Sequence, residues 1–194
     1  MDEEVMNEEE YKNRLEIFEQ LIKAIEKEDI AKIKELSNRT IHSTAIKQDT
    51  ESINIAVIVY AISKIIERKK YRQYEEWPEF YKNIKFYVEK CYNSLKQKNF
   101  DEFRENLVKI SECIKILKGN LKEYVEFIFR KAKINKGSRV YEHGISFSQT
   151  AQILGISLWE LAEYIGQTGI SNVELSITKD VKERINFLKE IFEA

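Results

Sequence analysis

The sequence predicts an all-α protein: an N-terminal helical bundle over residues 1–136, followed by a small helix-turn-helix domain over residues 137–194. Three observations carry that prediction. The chain holds only 6 glycines and 1 proline in 194 residues, and every glycine lies at or beyond Gly119, so the first half lacks the punctuation of hairpins and barrels. Apolar residues recur at spacings of three and four through most of that half. After Ile134 the composition changes: five of the six glycines fall between Gly137 and Gly169, and RKAKINKGSR carries five basic residues with no acid, which places a domain boundary near residue 136.

Taken in order, Leu15, Phe18, Leu21, Ile22 and Ile25 form one face of a first amphipathic helix. A turn at Lys27 to Asp29 leads into a short helix carrying Ile30, Ile33 and Leu36, and the polar stretch from Ser37 to Thr50 reads as a loop with one helical turn. Asp49 and Thr50 are candidate caps for a long helix whose middle, IAVIVYAI, is apolar all round and belongs at the centre of a bundle. Pro78 suits the first turn of the next helix, through Phe80, Ile84, Val88 and Cys91. Further helix follows from Phe100 to about Ile134, broken at Gly119. EKEDIAKIKEL and KQKNFDEFRENL each set a polar turn before apolar residues three apart, either a repeated helical hairpin or ordinary antiparallel helix grammar.

The segment SFSQTAQILGISLWELAEYI, residues 146–165, fits a helix-turn-helix. Ala151 is the small residue at the crossing, Gly155 can take the left-handed conformation that ends the first helix, Ser157 can cap the second, and Gly166 ends it. Thr150 stands where an apolar residue is more usual. The second helix exposes Leu158, Trp159, Glu160 and Glu163 rather than the basic and amide side chains that read base edges. Direct reading of DNA would therefore rest on Ser157, Gln167 and Thr168, or on Ser148, Gln149 and Gln152 of the preceding helix. The basic run Arg130, Lys131, Lys133, Lys136 and Arg139 could neutralise phosphates, or could be the solvated cations that favour a helix end. Leu158 and Trp159 form a candidate partner-binding pair; alternatively Trp159 packs under the C-terminal segment. Beyond the motif, Asn172 to Ile177, with its alternating VELSI, reads as a short extended stretch, and Thr178 and Asp180 as caps of a last amphipathic helix with Val181, Ile185, Leu188 and Ile191 or Phe192 inward.

The run YEHGISFSQTAQILGISLWELAEYIGQTGI resembles a small prokaryotic family of predicted antitoxins with a degenerate helix-turn-helix, commonly found beside PIN-domain nucleases. The resemblance rests on Gly144, Ala151, Leu154, Gly155, Ser157, Trp159, Glu160, Gly169 and Ile170 and covers about 30 of 194 residues. Such antitoxins are short, and the long helical N-terminal part departs from them. The resemblance implies a DNA-associated regulatory role and a protein ligand such as a nuclease toxin.

Other classes find little support. Basic and acidic residues balance at 32 and 33, which excludes a uniformly basic coat or an acidic tail. Cys91 and Cys113 stand 22 residues apart, a spacing of no zinc site, and read as buried reduced thiols. The start MDEEVMNEEE is unlike a secretory signal, and the longest apolar stretch, 53–66, is too short and interrupted to span a bilayer. No phosphate loop, dinucleotide fingerprint or nucleophile elbow is present. His42 and His143 belong to no nucleophile or metal constellation. Arg139 and His143 stand one residue too close for the Arg–His pattern of the all-helical HEPN ribonucleases. The tyrosines and phenylalanines from Phe80 to Phe103 recur at helical spacing and read as core. The expectation is a cytoplasmic, non-enzymatic homo-oligomer without catalytic residues, metal or cofactor. It acts as a transcriptional regulator or antitoxin-like protein on DNA; alternatively its helix-turn-helix has lost DNA and serves as a protein-interaction module.

Overall fold

A computed structural model of the chain describes residues 8–44, 50–115, 117, 119–142 and 145–168. Among them the regular structure is entirely helical: α1 (Glu8–Glu26), α2 (Ile30–Thr44), α3 (Thr50–Glu67), a 3-10 turn (Lys69–Gln73), α4 (Trp77–Lys96), α5 (Phe100–Lys115), α6 (Gly119–Glu142), α7 (Phe147–Leu154) and α8 (Leu158–Thr168). No helix is long and apolar enough to cross a membrane, again among the described residues.

The first six helices fall into two successive sets of three, 70 residues apart in sequence. The turn that ends α1 and the turn that ends α4 are the same turn. Glu28 N donates to Ile25 O at 3.2 Å and Asp29 N to Ala24 O at 2.9 Å; Lys98 N donates to Leu95 O at 2.8 Å and Asn99 N to Ser94 O at 2.9 Å. Glu28 and Lys98 both take positive φ, 52° and 56°. Asp29 and Asn99 then cap the following helices, accepting from Lys32 N at 3.0 Å and Glu102 N at 3.2 Å. Buried positions coincide at the same offset: Phe18 with Val88, Leu21 with Cys91, Ile33 with Phe103, Ile55 with Val125 and Ile58 with Ile128. Of the two readings of these turns, the structure favours the repeated hairpin; the third helices, α3 and α6, follow at the same offset but pack differently, α2 closely on α3 and α5 sparsely on α6. α1 packs on α4 and α3 on α6, each pairing an element with its own counterpart. Phe18 meets Phe103 edge-on at 5.4 Å in the shared core.

Three boundaries differ from the sequence reading. The stretch after Leu36 continues as helix to Thr44 instead of forming a loop. Two of its polar residues face inward with their hydroxyls satisfied: Ser37 Oγ donates to Ala56 O at 2.7 Å and Thr40 Oγ1 to Leu36 O at 2.9 Å. The compositional change near residue 136 falls inside α6, which runs unbroken to Glu142. Gly166 lies within α8 and does not end it. The proposed cap Asp49, the histidine at position 143, and the extended stretch and last helix expected after residue 170 lie outside the described residues.

Candidate functional site: the α7–α8 pair and its seat on α6

The local signals at residues 146–160 each take the expected form. Ser146 Oγ accepts from Gln149 N at 3.2 Å and starts α7. Gly155 ends it at φ 60° and ψ 45°, a left-handed conformation that a side chain would strain. Ser157 and Glu160 then form a reciprocal capping box at the head of α8. Ser157 Oγ accepts from Glu160 N at 3.2 Å, and Glu160 Oε2 accepts from Ser157 N at 3.0 Å. The result is two short helices joined by a three-residue turn.

What positions this pair was not legible in the sequence. Gly137, in the last third of α6, is a point where α7 and α8 press close. A Cβ there would lie 2.8 Å from Leu154 Cδ1, 3.3 Å from Leu161 Cδ1 and 3.5 Å from Thr150 Cγ2. Ala151, Leu161 and Ile165 form a small core around this crossing, with Tyr141, Phe147 and Ile156 packed against it. Tyr141 and Phe147 meet edge-on at 5.8 Å. Asn135 Nδ2 donates to Tyr164 Oη at 2.8 Å, and Arg130 Nε to Glu160 Oε1 at 2.5 Å, so α8 is tied to α6 at its head and again near its middle. The Arg130 hydrogen bond, helped by the Ser157 backbone and hydroxyl, holds the Glu160 carboxyl down to about 2.

The basic run divides across α6. Arg130 is committed to Glu160, and Arg139 to Glu142 at 2.9 Å. Lys131 is exposed, its ammonium 5.7 Å from the Phe127 ring centroid. Lys133 is half-buried on another face of the helix. Lys136 departs from the expectation of a phosphate contact. It is 1% exposed, donates to Asn38 Oδ1 at 2.8 Å and lies 4.4 Å from the Tyr60 ring centroid. Burial, with Arg139 nearby, lowers it to about 8. A side chain enclosed between α6, α2 and α3 reaches no phosphate, so the basic surface is smaller than the sequence implied.

The remaining candidates lie on the outside. Ser148, Gln149 and Gln152 of α7 are exposed, as is the capping Ser157. Gln167 is exposed and donates to Glu163 at 3.2 Å. Thr168 closes α8, its side chain outside the description. Leu158 is 50% exposed and Trp159 84%. Phe127, half exposed on α6 one turn before Arg130, is a further apolar side chain on this surface that the spacing of the sequence does not single out. Only the phase of α6, which sequence did not resolve, shows it outside. Cys91 and Cys113 are buried free thiols, both pushed up by burial. Among the described residues no cluster of three or more His, Cys, Asp or Glu could hold a metal ion. No protein-family model, curated protein or solved structure matches the chain.

Proposed function

We propose that this chain is a non-enzymatic docking protein whose α7–α8 pair presents Leu158 and Trp159 to a protein partner, a second copy of the chain being the simplest. The observation that carries this reading is the exposure of Trp159 at the head of a rigidly seated helix. A tryptophan left in water forgoes more apolar burial than any other side chain would, and such residues dominate binding energy where they are covered. The face around it is acidic and apolar, with Glu163 beside it in place of donors to bases.

A DNA-associated regulator or antitoxin-like protein is the second reading. It is favoured by the helix–turn–helix geometry and the exposed Ser148, Gln149 and Gln152, with Lys131 and Lys133 as the members of the basic run not committed to ion pairs among the described residues. A nuclease toxin covering Trp159 would unite the two readings.

Sedimentation of the full chain over a wide concentration range tests the first. A dimer that Trp159→Ala dissociates, with helicity unchanged, supports it; association indifferent to Trp159→Ala refutes self-docking through this face. For the second, a gel shift on mixed-sequence duplex at rising salt is decisive. Steeply salt-dependent binding weakened by Lys131→Gln supports it, and no shift at low salt removes it.

A further inference from the structure

The two halves of the repeat are not packed alike, and the difference opens a cleft. In the first unit α2 lies along the length of α3, its Ser37 hydroxyl on the Ala56 carbonyl at 2.7 Å. Seventy residues on, the counterparts of this small pair are Leu107 and Glu126, which forbid the same approach, and α5 meets α6 only sparsely. The space left between α3, α5 and α6 is a cavity of about 450 Å³. That volume is within the range of small-molecule sites, roughly 300–1,000 Å³.

Val57, Ile58, Leu107 and Phe129 form an apolar part of its wall, with Thr50, Asn54 and Ser111 also lining it, and its charged groups are unequally matched. At one end Glu51 is held by Arg14 and, at 3.0 Å, by Arg104. Lys133 also lines the cleft, and among the described residues it makes no hydrogen bond or ion pair. A cleft with an apolar stretch of wall and one unmatched ammonium is complementary to a molecule with a hydrocarbon body and one anionic head.

We propose that the cleft between α3, α5 and α6 binds a small amphipathic anion, its apolar body on Val57, Ile58, Leu107 and Phe129 and its head group on Lys133. The Lys133 ammonium lies 4.0 Å from where a Cβ on Gly155 would stand. The head group therefore lies against the α7–α8 turn, and occupancy is felt at the helix that carries Trp159. The site stands independently of what docks on α8.

Titration calorimetry of the full chain with sodium decanoate, and with decanol as the uncharged probe, tests the assignment. The expected result is saturable one-to-one uptake of decanoate. Lys133→Gln weakens it about tenfold, the loss of one charge-assisted hydrogen bond, and leaves decanol unchanged. Asn54→Trp, a substitution at an exposed position of the cleft wall, weakens both probes while thermal unfolding stays cooperative. Uptake that Asn54→Trp does not alter, or a Lys133→Gln effect equal for both probes, overturns the proposal. So does the absence of saturable uptake, whether the cleft is filled from within the chain or takes no ligand.

Discussion

Replacing Gly137 by alanine adds a single methyl group where α6, α7 and α8 meet, and its cost can be worked from the contacts. The new Cβ would stand 2.8 Å from Leu154 Cδ1 and 3.3 Å from Leu161 Cδ1. Both leucines, and Thr150 beside them, are buried, so none of the three can swing into solvent to make room. Overpacking of this kind costs about 1–3 kcal/mol. Against it, alanine in a helix interior is better than glycine by roughly 1 kcal/mol. The expected net effect is a loss of up to about 2 kcal/mol. Gly166 supplies the control, because it too lies within a helix but has nothing within 4 Å of its would-be Cβ. Gly166→Ala receives the propensity gain alone and stabilises by about 0.5–1 kcal/mol. Urea unfolding followed by circular dichroism compares the two midpoints at constant slope. Leu154→Ala combined with Gly137→Ala should lose less than the sum of the single changes, since the cavity left by one accommodates the methyl of the other. Should Gly137→Ala stabilise as much as Gly166→Ala, α7 and α8 do not press on α6 at this point and the seat described above is wrong.

Three further outcomes follow from the same region. Thr150→Val should raise stability by about 1 kcal/mol in the same assay, because Thr150 Oγ1 is fully buried with no hydrogen-bond partner among the described residues and valine keeps its shape. Lys136 is held near 8 in the folded chain against about 10.4 when unfolded, so the unfolded state binds the extra proton between those values. Stability should therefore rise as pH increases from about 8 to 10.4, and Lys136→Met should remove that rise. The Glu160 carboxyl is held down to about 2, below its unfolded value of about 4.3, so its contribution is present above that value and lost as pH falls toward 2. Arg130→Gln, followed by proton titration of Glu160 in NMR spectra, should move its midpoint upward; an unchanged midpoint would refute the ion pair.

The parts of this fold that announce themselves in sequence are those decided by local chemistry. Leu15, Phe18, Leu21 and Ile25 mark α1 by spacing alone, and Gly155, Ser157 and Glu160 mark the α7–α8 turn because caps are formed by neighbours in the chain. What escaped depended on distant partners. Ser37 and Thr40 look like loop residues until Ala56 and Leu36 are seen accepting from their hydroxyls. Gly137 reads as a break among basic residues, yet it is kept free of a side chain by Leu154 and Leu161, which approach from other helices. Lys136 reads as surface charge because polar residues are spread around α6, leaving no clear phase from which to tell the inner face from the outer. The cleft beside α5 has no local signature at all, since it arises from a mismatch between two copies of one unit.

Fluorescence of Trp159 in a Trp77→Phe variant tests the central claim most directly, because Trp77 is the one other tryptophan and is buried. The account predicts water-like emission readily quenched by acrylamide when the chain is dilute, shifting to the blue and losing quencher access as the chain is concentrated into its dimer. Blue-shifted, quencher-resistant emission from the dilute monomer would contradict it, because Trp159 would then already be packed within its own chain and nothing would be displayed for a partner to cover.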